Sequence, residues 1–147
     1  MTGTEIRSVV VERAFAAPPE KLWRALTQPH LIAEWLMPSD FRADAGHSFT
    51  LRNTPRQDVN VVIDCKVIAV EPQRMLSYSW SAYGLDSIVT FTLTPTPTGT
   101  LLRMEQAGFR ADQQQAFAGA TAGWRMFLDG LDRLLARADF DAGSSPP

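Results

Sequence analysis

The spacing of apolar residues along this 147-residue chain changes from alternating to helical and back, and each change marks an element. Ile6 to Ala14 is rich in valine, with Val9, Val10 and Val11 at its centre, and predicts a strand. Ala17-Pro18-Pro19-Glu20 predicts the start of a helix, because proline is tolerated in a first turn whose N–H groups have no partner. Leu22, Trp23, Ala25 and Leu26 give that helix a core side. Pro29 opens a second short helix, Pro29 to Trp35, with Leu31, Ile32 and Trp35 apolar, and Pro38 stops it. Alternation then predicts further strands. Phe41 and Ala43 alternate before the turn Gly46-His47, and Phe49 and Leu51 after it. Asn53 to Asp58, with Pro55 inside, predicts a loop. Val59, Val61, Ile63, Cys65 and Val67 mark one face of a long strand. Leu76, Tyr78 and Trp80 mark the next, followed by Val89, Phe91 and Leu93, then by Leu102 and Met104. Glu71-Pro72-Gln73, Tyr83-Gly84-Leu85 and Pro95 to Gly99 turn the chain between them, and Gly108 ends the sheet.

Ala111 to Ala138 returns to helical spacing and predicts the longest element, roughly 40 Å at 1.5 Å per residue. Phe117, Thr121, Trp124, Leu128, Leu131 and Leu135 fall on one stripe, widened by Phe127 and Leu134. Arg125, Asp129, Arg133 and Arg137 fall on the opposite half. Asp112 with Gln115 predicts an N-cap and its reciprocal partner, and Asp129 stands four residues before Arg133, a favourable order for an ion pair. So large an apolar face needs a sheet to cover it. The short connections join only antiparallel neighbours, and the alternation leaves one face of the sheet wet. The expectation is an α+β fold: a curved antiparallel sheet wrapped around a long C-terminal helix, with two short helices after the first strand. Residues 1–138 form one domain on this reading, and residues 139–147, rich in small residues and proline, a disordered tail.

Composition narrows the function classes. The net charge of −2 gives no basic footprint for nucleic acid. No run reaches the ~18 apolar residues of a membrane span, and the N-terminus lacks the basic and apolar regions of a signal peptide. The lone Cys65 can form no internal disulfide, which suits a reducing compartment. A cytoplasmic protein is expected.

The candidate chemistry is sparse. His30 and His47 sit in no ligand-spaced cluster, so no metal is expected, and no cofactor. Cys65 lies on the apolar phase of its strand and reads as a buried thiol. His47 sits in a turn, exposed or beside a cavity mouth. Arg103 and Glu105 share the wet phase of the last strand, whereas Gln106 shares the inward phase of Leu102 and Met104. A buried amide needs partners, which are protein, water or a ligand. The inward phases direct Tyr78, Trp80, Val89, Phe91, Met104 and Gln106 towards the helix, which answers with Phe117, Ala120, Thr121 and Trp124, and Trp35 joins them from the second helix. These are the candidate ligand-binding residues. The first half of the long helix is unusually rich in small residues, from Ala116 to Gly123. Close helix–sheet approach, a bend, or space left for a ligand would each account for them.

The order of elements resembles the helix-grip fold of START-like, or SRPBCC, proteins. Within it the chain is similar to the family named for the activator of heat-shock-protein-90 ATPase. Ala17-Pro18-Pro19-Glu20-Lys21-Leu22-Trp23-Arg24-Ala25-Leu26-Thr27 resembles that family's first-helix signature, and Trp35 the tryptophan closing its second helix. Glu71-Pro72-Gln73-Arg74-Met75-Leu76 with Trp80 resembles its central hairpin, Gly99-Thr100 the turn before its last strand, and Gly123-Trp124 with Leu128, Leu131 and Leu135 its C-terminal helix. The chain departs from the pattern at Gly46-His47, where two glycines are frequent, and at Cys65, where glycine is. The resemblance implies a cavity between sheet and helix. It also implies three function classes. The first is non-enzymatic binding of a small apolar or amphipathic molecule, lipid-like or polyketide-like. The second is an enzyme of the polyketide cyclase or hydrolase type, for which no catalytic residue is assigned and Tyr78 is the best inward group. The third is a chaperone-activator-like interaction module. The co-chaperones carry a separate N-terminal domain for which this chain is expected to have no room.

Overall fold

A computed structural model describes residues 6–56 and 59–137. Its elements are β1 (Ile6–Phe15), α1 (Pro19–Thr27), α2 (Pro29–Trp35), β2 (Ser48–Arg56), β3 (Val59–Glu71), β4 (Met75–Ala82), β5 (Leu85–Thr96), β6 (Gly99–Arg110) and α3 (Gln114–Ala136). The strands form one antiparallel sheet in the order β1-β6-β5-β4-β3-β2. This is the helix-grip α+β arrangement: the inner face of the sheet packs on α3, and α1 and α2 close one side. The buried side chains of that face, Leu76, Val89, Phe91, Leu102 and Met104 among them, meet Trp124, Leu128 and Leu131 of α3.

Local sequence explains the boundaries. Pro19 opens α1 at a position where its missing N–H costs nothing, and Pro29 does the same for α2. Tyr83 and Gly84 both have positive φ, 51° and 80°, the left-handed pair of a two-residue hairpin whose twist matches its strands. Gln73 takes φ 65° after Pro72, and Arg74 N–H closes that turn on Glu71 O at 2.9 Å.

The structure corrects several expectations. Among the described residues five strands, not six, follow the short helices. Phe41 and Ala43 form no strand. The segment before them instead lies along the edge of β2, where Arg52 N–H donates to Pro38 O at 3.0 Å and Thr50 N–H to Asp40 Oδ1 at 2.8 Å. Phe41 is buried there against Phe49 and Tyr78, and Ala43 is exposed. The expected loop from Asn53 is a continuation of β2 to Arg56, and an edge strand tolerates Pro55. Gln57 and Asp58, and the expected tail 139–147, lie outside the described residues. The hairpin loop after Pro95 is shorter than expected, because Pro95 pairs with Thr100 and Thr96 with Gly99.

Gly108 does not end the sheet. It is the extra residue of a bulge where the β1–β6 register slips between Arg7 and Ser8. Its φ is +124°, and a Cβ there would stand 2.7 Å from Asp86 O. The long helix runs over 23 residues, about 35 Å, and starts after Gln113 rather than after Asp112. No side chain caps it. Asp112 accepts from Arg110 Nε at 3.3 Å, and Gln113 Oε1 from Arg110 N–H at 2.8 Å. Asp129 pairs with Arg13 of β1 at 2.7 Å, not with Arg133, because α3 lies along β1.

Candidate functional site

The middle of the inner face is built from aromatic rings and one amide. Trp80 of β4 and Trp124 of α3 approach to 5.4 Å between centroids, tilted by 53°. Phe91 stands edge-on to Trp124 at 5.8 Å and to Trp35 at 6.2 Å. Tyr78 continues the cluster towards Phe91, Phe49 and Phe41. Gln106, 2% exposed, sits among them and is satisfied at both ends. Trp124 Nε1 donates to Gln106 Oε1 at 2.8 Å, and Gln106 Nε2 donates to Ser87 Oγ at 2.9 Å. Ser87 Oγ then donates to Trp80 O at 2.9 Å. Protein groups are therefore the partners of the buried amide, and this relay ties α3 to β4, β5 and β6. Trp124 thus contacts both Trp80 and Gln106.

The candidate residues divide into two groups. Trp35, Tyr78, Trp80, Val89, Phe91, Met104, Gln106 and Trp124 are buried. Trp35 Nε1 is bonded to Ala25 O at 2.8 Å. Phe117, Ala120 and Thr121 are half-buried. Phe117 stacks edge-on against Phe109 at 5.5 Å and carries the Arg7 guanidinium 4.2 Å over its ring; Thr121 donates to Phe117 O at 2.9 Å. Val61, Ala82, Leu85 and Phe127, which the alternation did not single out for the site, are half-buried apolar side chains packed on the core. The register sets Ala82 and Leu85 opposite each other at the sheet end where α3 begins. Gln113 Nε2 joins that end by donating to Gly84 O at 3.3 Å.

Gly119 faces water and Gly123 is half-buried. A Cβ built on either would meet nothing within 4 Å beyond its chain neighbours and the adjoining helix backbone, so close helix–sheet approach does not explain them. At Gly130, by contrast, Trp35 O lies 3.6 Å away. A groove of about 460 Å³ opens at the same end of the sheet, between Tyr83, Leu85, Ala111 and the first turn of α3. Another, of about 540 Å³, lies at the opposite end between Pro19, the Glu71–Met75 turn and Thr92 to Pro95. Its walls are mostly exposed side chains, which give a ligand little enclosure.

The ionisable groups of the interior stay neutral. Burial pushes the Cys65 thiol up to about 12, with Asp64 and Asp40 adding to the effect. Burial also raises the Tyr78 hydroxyl well above its ordinary value. Asp40 is held below the usual carboxylate range, chiefly by the Thr50 N–H bond, but it stands on the exposed edge of β2. His47 is half-buried and stacks on Phe49 at 6.4 Å. Among the described residues no group of three metal-ligating side chains comes together, and no helix is long and apolar enough to cross a membrane.

Ser87 is a further site residue that sequence reasoning missed. It lies two residues before Val89 on the same inward phase, so the alternation could have reached it.

With this geometry in view, residues 16–136 match the family described as Activator of Hsp90 ATPase homolog 1-like protein. The chain belongs to this family. The solved structure of protein MLL2253 from Mesorhizobium loti is 57% identical to it; the match covers 90% of this chain and 99% of that one, with a TM-score of 0.83. CalU16 from Micromonospora echinospora is 28% identical over 92% of this chain and 80% of its own, at 0.75. DynU16, a protein in the dynemicin biosynthetic locus, is 27% identical at 0.77; the match covers 87% of this chain and 46% of DynU16. No curated protein matches the chain. The family and the shared fold support a ligand-binding domain.

Proposed function

We propose that this family member binds a small apolar or amphipathic molecule, lipid-like or polyketide-like, between the sheet and the first half of α3, without converting it. The observation that carries the reading is Gly123, which is half-buried and yet, apart from its chain neighbours and the adjoining helix backbone, has no atom within 4 Å of where its Cβ would stand. Ala120 and Phe127 flank it on the helix, Phe117 and Thr121 lie on the neighbouring stripe, and Val61, Ala82 and Leu85 belong to the sheet end where α3 begins. An apolar enclosure with one or two polar groups is the usual make-up of a small-molecule site. Trp80 and Trp124 form its inner wall, held by the Gln106 relay. Binding without chemistry fits the neutral thiol and phenol of the interior, because acid–base catalysis needs a group that titrates near the working pH. We place the protein in the cytoplasm, where a lone cysteine stays reduced.

The test is a thermal-shift screen of fatty acids, flavonoids and aromatic polyketides, with tryptophan fluorescence as the second readout. A ligand at 100 times its dissociation constant stabilises the fold by about 2.7 kcal/mol. Ala120→Leu fills the space and removes the shift while the fold persists. No shift with any ligand, or binding unchanged in Ala120→Leu, sinks the reading. A second reading, an enzyme of the polyketide cyclase or hydrolase type, draws on the biosynthetic locus of DynU16. Turnover of a polyketide probe in the same screen would favour it.

A further inference from the structure

The inward face of β4 carries two polar groups that the protein leaves unpaired. Tyr78 and Trp80 are only 4% and 9% exposed. Among the described residues neither the Tyr78 hydroxyl nor Trp80 Nε1 has a hydrogen-bond partner. Yet neither atom is sealed from solvent. Trp124 of α3, Trp35 of α2 and Phe41 cover this face, so accessible surface on it marks a gap in the packing between sheet and cover. The other buried polar side chains, on Trp35, Ser77, Ser87, Thr100, Gln106 and Trp124, all have protein partners. Buried donors are normally paired, so two open ones on a single strand face call for a partner that the chain does not supply.

The chemistry of the two groups says what that partner is. An indole N–H only donates, and a phenol donates while it keeps its proton. Burial keeps the proton on Tyr78. The acceptors nearby are already taken, since Gln106 Oε1 receives the Trp124 N–H and Ser87 Oγ the Gln106 amide. No cation stands beside the pair. On β3 the inward side chains are Ile63, Cys65 and Val67, with the thiol protonated, and Asp64 and Lys66 are exposed. His47, stacked on Phe49, has Nε2 3.3 Å from Asp40 O at the edge of the sheet. The surroundings are rings: Phe41, Phe49 and Phe91 around Tyr78, and Trp124 against Trp80.

We infer that Tyr78, with Trp80 as a second donor, sets ligand specificity: the ligand is a neutral, ring-bearing molecule whose carbonyl oxygen accepts the hydrogen bond of the phenol. This rests on the binding function proposed above and narrows it. A plain hydrocarbon leaves both donors unpaired. An alcohol brings a donor of its own to a site whose acceptors are taken. A carboxylate, the headgroup of a fatty acid, would lose its water with no cation to replace it. A ketone on an aromatic body meets the donors with an acceptor and the rings with rings, which favour edge-on and tilted contacts. Tyr78 and Trp80 stand two residues apart on β4, about 7 Å along the strand, so one ligand of two fused or linked rings spans them.

Titration calorimetry of the full-length protein with benzophenone, diphenylmethane and diphenylacetate tests this, because the three share one body and differ in the oxygen group. Benzophenone binds roughly tenfold more tightly than diphenylmethane, the worth of a neutral hydrogen bond, and diphenylacetate binds most weakly. Tyr78→Phe weakens benzophenone towards diphenylmethane and leaves diphenylmethane as it was. Without ligand the variant melts no lower than the wild type, because the hydroxyl has no protein partner to lose; a lower melt would give the hydroxyl a structural role and overturn the inference. Infrared spectroscopy needs no variant: the carbonyl stretch of bound benzophenone falls below its position in hydrocarbon solvent. Equal binding of ketone and hydrocarbon, the result expected if water serves both donors, overturns the inference. So does an unshifted stretch, a carboxylate that binds as tightly as the ketone, or a preference that survives Tyr78→Phe in full. If myristate binds and none of the three does, the binding function stands and this inference fails; if nothing binds, both fail.

Discussion

The two halves of α3 face the same sheet and are held to it in different ways. From Trp124 to Leu135 the helix buries Trp124, Leu128, Leu131, Leu134 and Leu135 in the core. From Gln114 to Gly123 no residue is buried; Phe117, Ala120, Thr121 and Gly123 are half-covered, and the rest face water. Area buried decides stability, so the second half anchors the fold. The first half holds its place through Phe117, between Phe109 and Arg7. The contrast teaches that one amphipathic helix can be half core and half rim. Adaptability to a ligand belongs where the core term is small.

The largest expected effect sharpens the boundary between the halves. Trp124→Ala removes a fully buried indole and should cost about 3–5 kcal/mol in denaturant unfolding. Leu131→Ala should cost about 2–5 kcal/mol, whereas Phe117→Ala, half-covered, should cost less than either. Equal losses from Leu131→Ala and Phe117→Ala would erase the distinction. Gln106→Leu comes next. It leaves the Trp124 indole N–H without its buried acceptor, a loss of about 1–3 kcal/mol. Wild-type stability in that variant would mean that the relay does not hold Trp124.

A pH series probes the interior behind the rim. The folded state keeps Cys65 and Tyr78 protonated to higher pH than the unfolded chain does. Their contribution is complete below Cys65's ordinary value of 9.0 and is lost as pH rises towards about 12. The melting temperature should fall through that window, and Cys65→Ala should reduce the slope. A flat profile there would place the thiol in contact with water. The smallest effect is a gain. Gly119→Ala or Gly123→Ala should stabilise by about 0.4–1 kcal/mol, because each methyl meets open space and helical φ suits alanine. Destabilisation by either would mean that the space beside the first half is already occupied.

Much of this fold was legible because one physical rule, a face turned to the core, repeats along the chain. Alternation marked the inward side chains of β3 to β6 through Gln106, and helical spacing marked the α3 stripe. The misreadings share a cause: a tertiary partner overrode a local signal. Gly108 looked like a terminator, yet a bulge against β1 absorbs it and β6 continues. Asp112 looked like a cap, yet Arg110 engages it. Phe41 looked like a strand, yet the Asp40–Thr50 bond ties its segment to the rim of β2. The candidate site was legible as a set of inward residues. Which of them are core and which are rim depends on how far α3 stands from each strand, and no single-residue pattern carries that distance.

The pairing of β1 with β6 bears on how this chain is made. Val9 lies opposite Gln106, so the first strand to be synthesised waits for the last. β2 to β6 join through neighbours in sequence and can assemble as a hairpin series, fast because their contacts are local. Closing β1 onto them spans nearly the whole chain and costs loop entropy that the meander does not. On a ribosome, the valines of β1 therefore stay unpaired until β6 emerges. Over that interval the nascent chain displays an edge-forming segment open to other chains, the kind of exposed strand that favours aggregation.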